Sequence, residues 1–153
     1  MYEDNAFGLL AFFGAFAFVF FIIGLIFYIA FAMGLMTLAK RRGIENAFLA
    51  FIPVANLYIL GLLIKELKIF SFDVPSPELV LPGASLAGMF LGAIPLIGWI
   101  IPLANLVLFF GAMYALFNIY VPQSAMLYTI LSPFVGPFLV FMIRNNDPVN
   151  AKY

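Results

Sequence analysis

The sequence predicts an all-α integral membrane protein, one transmembrane domain over residues 1–153 built as a bundle of about five spanning helices. Two observations carry this. Of the 153 residues, 66% are hydrophobic and 9% charged, with a mean hydropathy of +1.16. A water-soluble domain draws about a quarter of its residues from the charged set. The few charges are also segregated: none lies between Asp4 and Lys40, between Glu45 and Lys65, or between Glu78 and Arg144. Uncharged runs of that length suit the roughly 20 apolar residues that a spanning helix needs.

The first segment covers 6–39. At about 1.5 Å per residue it is on the order of 50 Å long, against a hydrocarbon core of roughly 30 Å. Neither proline nor a polar turn interrupts it, so one long helix, tilted or projecting, is expected rather than two spans. Phe12, Phe13, Phe16, Phe20, Phe21 and Phe27 suit lipid contact. Ala30 and Gly34, one helical turn apart, suit close approach to another helix. The start, "MYEDN", is acidic, and the apolar run ends at "KRR" rather than at a cleavage site. A cleaved signal peptide is therefore not expected, and the segment stays in the membrane.

A short basic loop, "KRRGIEN", leads to a second segment at 47–64. Pro53 either kinks this helix or opens it, since a missing N–H costs nothing in the first turn. The stretch 65–83, "KELKIFSFDVPSPELVLPG", holds three prolines and reads mostly as loop. Turn signals at "AIPLIG", with Pro95, and at "YVPQS" divide the remainder into spans at 80–94, 98–119 and 124–143.

Lys and Arg in short loops set orientation. With five spans and the N-terminus outside, Lys40, Arg41, Arg42, Arg144 and Lys152 are cytoplasmic against Lys65 and Lys68, five to two. The alternative makes 47–64 re-entrant and leaves four spans. Lys65 and Lys68 then join the first cluster, Arg144 and Lys152 change sides, and the count is again five to two. The length of 47–64 favours a crossing, with the N-terminus outside and the C-terminus cytoplasmic.

An internal repeat stands out. "IPVANLYILG" at 52–61 returns as "IPLANLVLFFG" at 101–111, 49 residues later. On the five-span reading the two copies run in the same direction, as in a duplicated helical hairpin. Pro53 and Pro102 would free the carbonyls of Leu49 and Gly98, and in lipid a freed carbonyl must find a donor. Asn56 and Asn105 are the donors at hand. One reading makes them packing contacts worth about 0.6 kcal/mol each. Another makes them the polar wall of a substrate or ion path between broken helices. No ionisable residue accompanies them, which favours packing. Small residues recur every fourth position at Ala84, Gly88 and Gly92, a GxxxG pattern, and the theme continues at Gly111 and Ala115. Such stripes mark helix packing within a chain or contact with a partner.

The inventory narrows the chemistry. Cys and His are absent, which excludes disulfides, thiolate nucleophiles, imidazole proton shuttles and Cys/His zinc sites. Every Asp and Glu sits at a segment end or in a loop, leaving no intramembrane carboxylate pair for acid–base work or a metal. No phosphate-binding glycine loop and no serine elbow occurs. Zero net charge gives no reason to expect nucleic acid. No enzyme, cofactor or metal is expected.

The segments "AKRRGIENAFLAFIPVANLYILG", "IPLIGWIIPLANL" and "FMIRNNDP" resemble small multi-pass membrane proteins of unknown function found in Gram-positive bacteria. That resemblance implies a bacterial plasma membrane setting and carries over no catalytic residue. The expected role is therefore an accessory or scaffold subunit of a membrane complex. Its partners would be the lipid bilayer and other membrane subunits or further copies of itself, held by helix–helix association. The alternative is a small channel or facilitator lined by Asn56 and Asn105.

Overall fold

The computed structural model describes residues 2–95 and 98–150, with side-chain surroundings from residue 7 onward. Lys152 and part of the turn signal beside Pro95 lie outside the described residues. Five α-helices dominate: α1 (Tyr2–Arg41), α2 (Ala55–Ile64), α3 (Pro77–Leu91), α4 (Ile100–Tyr120) and α5 (Ala125–Met142). Short 3-10 helices stand at Ala47–Phe51, Pro122–Ser124 and Ile143–Asn145. Three segments are long and apolar enough to cross a membrane by length and composition: Phe7–Arg41, Ile100–Tyr120 and Pro122–Asn145. At 10 and 15 residues, α2 and α3 fall short of the roughly 20 that a straight crossing takes.

The end of α1 is written in its sequence. Gly43 adopts φ +68°. The Gly43 N–H donates to Lys40 O at 3.1 Å and the Ile44 N–H to Ala39 O at 2.9 Å, the paired bonds of a glycine-terminated helix.

Residues 47–64 do not form one continuous helix. A 3-10 helix, Ala47–Phe51, is followed by a break, and α2 starts only at Ala55. Pro53 stands in that break, and Val54 takes φ +69°, an unusual conformation for a β-branched residue. The Ile52 N–H bonds Leu49 O at 3.0 Å, so the carbonyl opposite the proline is satisfied by a tight turn. The path of this segment follows from two contacts with α1. Tyr28 Oη donates to Phe51 O at 2.8 Å, and Arg42 Nη1 donates to Leu63 O at 2.7 Å. Tyr28 and Arg42 lie about 21 Å apart along α1 at 1.5 Å per residue. The chain therefore runs down α1 as far as Tyr28, turns at Pro53, and climbs back through α2 to the end where it began.

Beyond α2, residues expected as loop pair into a hairpin of strands β1 (Leu67–Ile69) and β2 (Phe72–Val74), with Lys68 opposite Asp73. The two-residue turn puts Phe70 at φ +55°. Leu67 and Ile69 pack over Gly111 of α4, where an added Cβ would meet Ile69 Cγ1 at 3.1 Å. The hairpin returns the chain to α3, whose start lies against α2. A Cβ on Gly61 would collide with the Glu78 backbone and lie 2.6 Å from the Pro77 carbonyl carbon. Only glycine permits that approach.

The core gathers Leu35 and Leu38 from α1, Ile59 and Leu63 from α2, Leu116 and Phe117 from α4, and Val140 from α5, all fully buried. Gly34 seats α1 on α5. A Cβ there would stand 2.9 Å from Val140 C and Phe141 N, and Phe27 meets Phe138 edge-on. Within α5, Pro133 removes the N–H that would bond Thr129 O. Ser132 Oγ donates to that carbonyl at 2.7 Å, which repairs the gap from inside the helix. The other half of α1 touches none of this: residues 7–26 are exposed throughout.

Candidate functional site

The polar residues of the body collect at one end. The final turn of α1 brings Lys40 and Arg41 there, and Arg42 follows in the turn after it. Lys65 follows as the C-cap of α2, with φ +56°. Asn118 and Tyr120 close α4, and the tail after α5 folds over them. The Val149 N–H bonds Ile119 O at 2.7 Å, and Asn150 Nδ2 donates to Asn118 O at 3.1 Å. Arg41 ties the tail to α1, donating from Nη1 to Asn145 O at 2.6 Å and pairing through Nη2 with Asp147 at 2.5 Å.

Two cavities open at this end. One of about 470 Å³ is lined by Arg42, Lys65, Glu66, Lys68, Asn118 and Asn150, with Gly111 and Ala115 of α4 on its apolar wall. The other, about 390 Å³, shares Arg42 and Lys65 and adds Arg41, Tyr120, Asn146 and Asp147. Tyr120 and Asn146 flank α5 on its two sides, so both flanks of α5 reach one cavity. Six basic residues fall at this end: Lys40, Arg41, Arg42, Lys65, Lys68 and Arg144. They are all the Lys and Arg among the described residues. The arginines work on backbone. Arg41 and Arg42 bond carbonyls as above, and Arg144 Nη1 donates to Phe141 O at 2.7 Å. Cations at carbonyl-rich helix ends offset the partial negative charge there.

The residues expected to carry function from sequence are dispersed. Asn105 Nδ2 donates to Ala84 O at 3.0 Å and lies beside Gly88, where an added Cβ would sit 2.9 Å from it. Ala84, Gly88 and Asn105 thus form one α3–α4 contact. Gly92 is not part of it. It is exposed, and an added Cβ would meet only its own Gly88 carbonyl within 4 Å among the described residues. Gly111 faces the hairpin and Ala115 the larger cavity. Asn56, the second residue of α2, forms no side-chain hydrogen bond among the described residues, and no bond joins it to Asn105. Pro102 is the third residue of α4, where its missing N–H is one the helix would leave unpaired anyway. Pro95 is exposed in the turn after α3.

Both proline–asparagine motifs therefore open helices that run toward the polar end. Sequence reasoning missed Gly61 and the gathering of the basic residues. The signal for Gly61 was a glycine near the end of the first repeat, where Gly111 ends the second. No family model, curated protein or solved structure matches the chain.

Proposed function

We propose that this chain is a non-enzymatic accessory or scaffold subunit of a bacterial plasma membrane complex, acting by helix–helix association. The outer half of α1 carries this reading. Phe7–Arg41 is 35 residues, about 52 Å of helix at 1.5 Å per residue. Fitting that into a core of roughly 30 Å would need a tilt of about 55°, whereas membrane helices span roughly 0–40°. Lipid alone does not cover it, and no other described residue of this chain buries it. The surplus apolar surface fits a helix contributed by another subunit or by a second copy.

The membrane arrangement follows from the clustered cations. Short-loop Lys and Arg mark the cytoplasmic side, so the polar end faces the cytoplasm and the start of α1 lies outside. In this arrangement α1 and α4 cross, and the shorter α3, with the turn after it, reaches the far side to join α4. Residues 47–64 enter and leave on the cytoplasmic side, and α5 has both flanks there. The polar hairpin is then cytoplasmic as well. The engagement of Asn105 with Ala84 supports packing over a polar path.

Two experiments test this. With no native Cys as background, single cysteines at Gly43 and Ser76 should both resist an impermeant thiol reagent in intact cells, while one at Ala93 reacts. Labelling at Ser76 would make residues 47–64 a crossing and remove the re-entrant segment. For association, a photo-crosslinking residue at Phe16 should form an adduct with protein, and one at Met126 on α5 should not. An uncrosslinked Phe16 variant, expressed and inserted normally, would overturn the scaffold reading.

A further inference from the structure

We infer that the two cavities at the basic end form a binding site for a phosphate-bearing anion, with Arg42 and Lys65 shared between them. The larger cavity sets Arg42, Lys65 and Lys68 against a single carboxylate, Glu66. The smaller sets Arg41, Arg42 and Lys65 against Asp147. Cations that merely neutralise helix ends would be bonded to carbonyls, as Arg41, Arg42 and Arg144 are. The lysines are not so engaged. Lys65 forms no ion pair among the described residues. Lys68 holds Asp73 at 3.4 Å, with both side chains mostly exposed, an arrangement worth little in water and easily exchanged for a stronger anion.

The remaining lining suits the same ligand. Asn118, Asn150 and Tyr114 bring hydrogen-bonding groups, while Ile64 and Ala115 make an apolar wall. Tyr114, in the same lining, shares one face of α4 with Val107 and Leu103 at helical spacing, and all three are exposed. A polar, cationic cavity of about 470 Å³ joined to an apolar helix face fits a phosphate head with an acyl tail. Basic pockets at the cytoplasmic ends of membrane helices recognise anionic lipid head groups in this way. A soluble phosphate compound presents the same oxyanion without the tail. The lipid source rests on the membrane reading above. The phosphate chemistry of the cavity does not.

The test uses the full chain in mild detergent. Native mass spectrometry would count retained phosphatidylglycerol against phosphatidylcholine, for wild type, Lys65→Gln/Lys68→Gln and the charge-preserving Lys65→Arg/Lys68→Arg. Melting curves with inorganic pyrophosphate form the second arm, and the melting temperature without additive controls for folding. Each lysine near an anionic head group contributes about fivefold, from about 1 kcal/mol per charge. The glutamine pair should therefore lose roughly 25-fold in relative phosphatidylglycerol retention, and the arginine pair should keep it. A pyrophosphate shift in wild type, absent from the glutamine pair and without lipid selectivity, would support the site and assign it to soluble phosphate. Equal retention by wild type and a well-folded glutamine pair, with no pyrophosphate shift in either, would overturn it. Extraction of the protein from membranes by carbonate would refute the membrane reading separately.

Discussion

The two halves of α1 are both largely apolar, yet they end up in different surroundings. Residues 7–26 are exposed on every face, and a Cβ added at Gly8, Gly14 or Gly24 would meet nothing within 4 Å beyond the local backbone of the helix itself. From Ala30 to Ala39 the same helix buries Ala30, Ala32, Gly34, Leu35, Leu38 and Ala39. Small residues occur in both halves, so they permit contact without creating it. What separates the halves is a partner. The inner half has α5 and the returning segment 47–64 laid along it, and the outer half has no such neighbour among the described residues. The buried body ends near Phe27, and the outer half is a helix held by its own backbone bonds and by contacts along itself, such as the rings of Phe12, Phe16 and Phe20.

The largest expected effect lies deep in the body. Gly61→Ala places a methyl group on the Glu78 backbone, where no side chain can move aside. We expect a loss of about 3 kcal/mol or more, at the upper edge of overpacking costs, read as a collapsed melting transition in detergent. Wild-type melting would mean that α2 and α3 are not in contact.

Gly34→Ala is the direct test of the inner half. Its Cβ would press on the Val140–Phe141 backbone, and a cost of about 1–3 kcal/mol is expected. An unchanged melting temperature would dissolve the distinction between the halves.

Next comes Ser132→Ala, which leaves Thr129 O without the donor that Pro133 cannot supply. The loss should be about 1–3 kcal/mol, the cost of an unsatisfied buried acceptor. Adding Pro133→Ala restores an N–H and should recover most of it. A double variant no better than the single would show that the hydroxyl is not repairing the helix.

Smaller still, Asn105→Leu removes one bond to Ala84, about 0.6 kcal/mol on the membrane average. Asn56→Leu should lie within error. Equal losses at both sites would give the asparagines a shared role that their separate surroundings do not.

The smallest effect is the sharpest for the comparison. Gly24→Ala improves helix propensity by up to about 1 kcal/mol, yet the melting temperature should not move, because residue 24 lies outside the buried body. A stabilised body would mean that the outer half packs after all.

Much of this architecture could be read from the residues themselves. The uninterrupted apolar run with its basic, glycine-closed end determined α1, because nothing within it competes with helical hydrogen bonding. Ala30 and Gly34 were legible as a contact face. The repeated Pro-x-Ala-Asn motif marked two related segments, but whether proline kinks or opens each helix was open in the sequence, and the structure puts both prolines at or before a helix start. The turn signals placed α4 and α5 within a few residues. Tertiary structure decided the rest. Whether 47–64 crosses or returns was a tie in the loop charges, and hydropathy is the same on either path. The contacts of Phe51 with Tyr28 and of Leu63 with Arg42 show the segment doubling back along α1, and neither is local. Gly61 and Gly92 look alike in sequence, yet Gly61 has the start of α3 laid across it while Gly92 is exposed at the end of α3. The basic residues gather into one site because helices of unequal length return to the same end, and spacing along the chain carries no record of that.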